Sequence, residues 1–129
     1  MAIEYKVDHA RRLVWATGSG HLTGDDIMNY QREAWSRPDV KGFNELVDMS
    51  AVEQFDMPTA RDLKELAGTS AAMDTRTRSK FAIVAPRDDA FGVGRMYETY
   101  RRLEHQSTKE VGVFRTLGEA FAFLGVTPP

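Results

Sequence analysis

Between residues 3 and 8 the apolar positions Ile3, Tyr5 and Val7 alternate with Glu4, Lys6 and Asp8. A period of two predicts a half-buried strand. Residues 8–12 are polar and read as a hairpin loop, after which residues 13–17 resume as a second strand. Leu13 and Trp15 share one face of it and Val14 and Ala16 the other; Gly18 and Gly20 are predicted to end it where the edge bends.

The period then lengthens. Ile27, Tyr30, Ala34 and Trp35 form a helical stripe behind Thr23, an N-cap residue with Asp26 three positions on and Leu22 and Ile27 at staple positions. Asp25 and Asp26 favour the positive end of that helix, so capping accounts for both carboxylates. Pro38 stops the helix or lies just beyond it. After Gly42, the adjacent apolars Leu46 and Val47 mark residues 44–48 as a strand covered on both faces. A second helix begins at Pro58 or Thr59, with Ala60, Leu63, Leu66, Ala67 and Ser70 as its stripe. Phe81, Ile83 and Val84 make another buried strand, closed by Pro86. A third helix spans residues 89–104, with Val93, Met96, Tyr100 and Leu103 expected on its core side. Residues 111–114 form the last strand. Thr116 and Glu119 supply a capping box for a last helix with the stripe Leu117, Ala120, Phe121 and Leu124, and Gly125 is its C-cap.

A hairpin followed by three strand-helix units predicts a single α/β domain over residues 1–129. Its sheet should be mixed but mostly parallel, of about five strands, with helices packed on it. Residues 43–66 are its organising stretch: a central strand ending on Asp48, a turn, and a helix. In open parallel sheets ligands gather beyond the carboxyl ends of the strands. Those ends should bring together Asp48, Ser50, Asp56, Thr59, Arg87, Asp88, Arg115 and Thr116 as a polar rim for a head group or a partner's charges. Phe91 and Tyr97 fall off the expected core stripe of the third helix, and would serve either an apolar pocket or a homodimer contact.

Composition narrows the function classes. The net charge is -2, the pI 5.9 and the mean hydropathy -0.43, without the basic excess of a nucleic-acid binder. The densest basic stretch, Arg76, Arg78 and Lys80, reads as a solvated connection. No apolar run approaches the roughly 20 residues of a membrane-spanning helix, and the first ten residues lack a secretory pattern. With no cysteine there is no disulfide framework or thiolate metal site, and the expected location is the cytoplasm. Gly92-Val93-Gly94 lacks the third glycine of a dinucleotide loop, which would stand where Tyr97 does. His9, His21 and His105 have no metal-binding spacing, and Ser50 lies in no nucleophile elbow. No cofactor is expected.

The order of elements, with LVDMSAVEQFDMPTARDLKEL at its centre, resembles the STAS and SpoIIAA-like family. In its anti-sigma-factor antagonists a strand ending in Asp leads through a short turn to Asp-Ser-Ser-Gly at a helix start. Asp48 matches the first acid, Val52 and Phe55 the apolar pair between, and Asp56 the acid before the helix. Where that family carries its phosphorylated serine, this chain has Met57 and Pro58, with Thr59 one residue later. The resemblance therefore implies the fold and a non-enzymatic regulatory or protein-interaction module, without the phosphorylation switch. Kinship of the fold with CRAL-TRIO lipid-exchange domains implies the alternative, a carrier of a small apolar or lipid-like ligand held between the sheet and the helix bearing Phe91 and Tyr97.

Overall fold

The computed structural model describes residues 2–56, 59–72, 78–104 and 107–127. Met57, Pro58, Arg76 and His105 lie outside them. The chain runs β1 (Ile3–Asp8), β2 (Leu13–Leu22), α1 (Gly24–Trp35), β3 (Asn44–Phe55), α2 (Ala60–Ala72), β4 (Ser79–Val84), α3 (Asp88–Arg102), β5 (Lys109–Phe114) and α4 (Leu117–Leu124), with a short 3₁₀ turn at Pro38–Val40. All five strands join one sheet in the order β1-β2-β3-β4-β5. The first pair is antiparallel and the other three are parallel, as the sequence predicts.

That order decides where the helices go. From β2 onward each crossover advances one strand in the same direction, and right-handed crossovers then put all the connecting helices on one face. Accordingly α1 lies over β1 and β2, α3 lies over β5 and β3, and α2 leans on α3. No described strand follows α4, which packs against β3, β4 and β5. It covers Leu13, Leu46, Ala82 and Val84 with Ala120, Phe121 and Leu124, a core separate from the larger one beneath the other helices. The alternation in β2 is therefore literal: Leu13 and Trp15 belong to the α4 side, Val14 and Ala16 to the other.

Two strands are longer than their apolar patterns suggest. β2 does not end at Gly18 and Gly20 but continues to Leu22, and β3 does not end at Asp48 but runs on to Phe55. The extensions pair with each other through two register shifts, between Thr17 and Ser19 and between Gly20 and His21, each giving β3 one extra residue. Bulges of this kind twist a ladder and blur its alternation. Gly20, at φ 62, sits at the second shift in the left-handed region that glycine enters freely. Asp48 is nonetheless where β4 stops, paired with Val84. Its carboxylate accepts the backbone N–H of Ser50 at 2.9 Å and the Ser50 hydroxyl at 2.6 Å, stabilising the first bulge.

The caps fall where the sequence puts them. The Thr23 hydroxyl accepts the N–H of Asp26 while the Asp26 carboxylate accepts that of Thr23. Thr59 accepts the N–H of Asp62 at 3.1 Å, Thr116 that of Glu119 at 3.2 Å, and Gly125 closes α4 at φ 70. The inward face of α3 is the main departure. Met96 and Leu103, expected in the core, are 42% and 72% exposed, whereas Ala90, Val93, Gly94, Tyr97 and Arg101 are buried. Gly94 explains the rotation: a Cβ there would lie 3.0 Å from Val113 Cγ1, so the helix sets its bare backbone against β5 and turns Met96 outward.

Candidate ligand-binding cleft

The residues expected to form one rim are bonded in separate groups. Arg87, at the start of α3, donates to the carbonyls of Val52 and Glu53 in β3 and pairs with Asp89 at 3.0 Å. Arg115 pairs with Asp88 at 2.6 Å, donates to the Pro86 carbonyl and lies 3.9 Å from the centre of the Phe91 ring. Arg87, Asp88, Phe91 and Arg115 thus come together where α3 begins. Asp48 and Ser50 bond each other, and Thr116 caps α4. Asp56 stands apart, 2.8 Å from His21 Nε2, at the far end of β2 and β3 beside the Thr59 cap. Most of these groups are satisfied by near neighbours.

Tyr97 does not fall off the core stripe of α3: it is 5% exposed and meets Phe81 edge-on with ring centres 6.2 Å apart. Its hydroxyl accepts from Arg101 Nη1 at 2.6 Å, and burial pushes its pKa up.

Tyr97 lines a cleft of about 560 Å³ between the sheet and the helices. The cleft follows from the packing just described: α1 covers the β1 side, α2 leans away onto α3, and the middle of β3 is left between them. Val47 and Met49 of β3 and Phe81 and Ile83 of β4 make the floor; Ile27 and Met28 come from α1, Leu63 and Leu66 from α2, and Ala90 and Val93 from α3. A volume of this size, mostly apolar, suits a small organic molecule.

Behind the apolar wall sits a buried polar cluster that periodicity does not reveal. Tyr30 donates to Glu45 Oε2 at 2.7 Å, and Lys109 Nζ lies 3.0 Å from Glu45 Oε1 and 3.2 Å from the centre of the Trp35 ring. Desolvation, then the Glu45 carboxylate, drives the Tyr30 pKa well above its ordinary value. Ser70 on α2 donates to Gln31 on α1, and Arg101 reaches the Ser70 carbonyl at 3.4 Å. The Ser70–Gln31 bond ties the two helices together across the closed end of the cleft. Glu45 and Arg101 were legible only as strand and helix residues: each occupies a core-facing position that a charge disguises.

No family model matches the chain, and none of the curated proteins matches its sequence. A solved structure matches in fold: an uncharacterized protein of the DUF3478 family from Shewanella loihica PV-4, with a SpoIIAA-like fold, superposes with a TM-score of 0.59. The match covers 95% of this chain and 94% of that one at 14% identity. The fold is SpoIIAA-like. At that identity the likeness carries the architecture and no activity. Within this SpoIIAA-like domain, no helix among the described residues is long and apolar enough to cross a membrane, and no described cluster of His, Asp and Glu could hold a metal ion.

Proposed function

We propose that this SpoIIAA-like domain is a non-catalytic binder of a small apolar or lipid-like molecule, held in the cleft between the sheet and α1, α2 and α3. The observation that carries the reading is the cavity of about 560 Å³ over the middle of β3, floored by Val47, Met49, Phe81 and Ile83. Each CH₂ moved from water into such a space is worth about 0.8 kcal/mol. The polar atoms at its closed end are engaged with one another, through Tyr30 with Glu45 and Ser70 with Gln31, which suits holding a ligand rather than reacting with it. A protein-interaction role through the expected rim finds less support, because Arg87, Asp88 and Arg115 are already paired and Thr59 and Thr116 are caps.

The test is titration with the neutral dye N-phenyl-1-naphthylamine, whose fluorescence rises on leaving water. One dye per chain should bind, with a Kd of roughly 10 µM, equivalent to about 7 kcal/mol. Met28→Trp and Leu66→Trp, at half-buried positions on either side of the cleft, should each abolish binding while leaving the urea midpoint near that of the parent. An unchanged titration in both variants, or no binding by the parent, would remove the reading.

A further inference from the structure

We infer that the cleft selects amphiphiles with a positively charged end, an alkylammonium over a carboxylate of the same chain length; the inference rests on the cleft being the ligand site. Its described lining carries four carboxylates, those of Asp25, Asp56, Asp62 and Glu65, against the one guanidinium of Arg32. Asp25, Asp56, Asp62 and Glu65 are all exposed, so they stand at the opening and not on the apolar floor. Two have near partners: a ring nitrogen of His21 lies 2.8 Å from Asp56, and the Arg61 guanidinium lies 3.6 Å from Glu65. Neither the Asp25 nor the Asp62 carboxylate bonds or pairs with any other described residue. An apolar chain seated on Val47, Met49 and Ile83 would leave its head among these groups.

Two features favour anions and have to be weighed. The N-termini of α1 and α2 open towards the same mouth, each worth about +0.5 charge. Thr23, Asp26 and Thr59 already occupy their first turns, and together they amount to about one positive charge against an excess of three carboxylates in the lining. The buried cations Arg101 and Lys109 lie behind the cleft, not in its lining; Arg101 donates to Tyr97 and Lys109 pairs with Glu45. The opening therefore remains negative, and a carboxylate head would meet like charge both on entering and once seated.

The effect is moderate because exposed charges act through water. Displacement of N-phenyl-1-naphthylamine by octylammonium, 1-octanol and octanoate, at neutral pH and low ionic strength, measures it. Octylammonium should compete about tenfold better than octanoate, with 1-octanol between them, and added salt should narrow the gap. In the triple variant Asp25→Asn, Asp62→Asn, Glu65→Gln the gap should fall below about twofold with 1-octanol unchanged, which also reports an intact cleft. Octanoate competing as well as octylammonium, or a gap that survives the triple variant, overturns the inference while the cleft stands as a binding site. Failure of the dye itself to bind overturns the site and the inference together.

Discussion

Replacing Glu45 by Gln takes the carboxylate away from a buried ammonium. The Glu45 and Lys109 side chains are 2% and 7% exposed, 3.0 Å apart, and Tyr30 completes the group from α1. Breaking a buried pair by removing one partner typically costs about 3–5 kcal/mol, because the remaining charge stays desolvated. A small domain holds roughly 5–15 kcal/mol in all, so about a fifth or more of the stability is at stake. With a urea slope of about 2 kcal/mol per molar, the unfolding midpoint of Glu45→Gln should fall by roughly 2 M. Removing the whole group should be far milder, since no charge or hydroxyl is then stranded. The triple variant Tyr30→Phe, Glu45→Leu, Lys109→Met should recover most of the loss, to within about 2 kcal/mol of the parent. Equilibrium urea unfolding followed by circular dichroism makes both comparisons. A Glu45→Gln midpoint within about 0.5 M of the parent, or a triple variant as unstable as the single one, would refute the electrostatic argument.

Two further predictions concern packing and pH. Gly94→Ala places a Cβ 3.0 Å from Val113 and should destabilise by about 1 kcal/mol, after the gain in helix propensity. Gly92→Ala meets nothing within 4 Å and should stabilise by about 0.5–1 kcal/mol; thermal melts giving both changes the same sign would undo the close-approach account of α3. Asp39 is held down to about 2 by hydrogen bonds from Arg37 and then His9, against an ordinary value of 3.8. A carboxylate depressed in the fold lends stability that is complete above its unfolded pKa and is lost as pH falls through the folded one. Asp39→Asn should therefore lower the urea midpoint slightly near neutrality, and by less and less as pH falls from 3.8 through about 2; a difference independent of pH would contradict the pairing.

The sequence states the fold more openly than the cleft, and the reasons are physical. Caps such as Thr23 with Asp26 and Thr116 with Glu119 are local, as is the alternation of Leu13 to Ala16, so both can be read along the chain. The far half of β3 is hidden because its two bulges break the alternation that would announce it. The face of α3 is hidden because Gly94 and Arg101, neither of them apolar, are inside, while Met96 and Leu103 are outside. Nothing local in the sequence announces that Arg87 is taken up by Asp89 and the carbonyls of β3, or Arg115 by Asp88. The cleft depends on the lean of α2 onto α3 and away from α1, a tertiary arrangement that no local pattern encodes.

The most direct measurement is a crystal structure of the protein soaked with 8-bromo-1-octanol, located by the anomalous signal of bromine. The account predicts a bromine peak in the cleft above Val47, Met49 and Ile83, between Met28 of α1 and Leu66 of α2. A peak on the exposed side of α3 beside Met96 and Leu103, with the cleft holding only solvent, would contradict it.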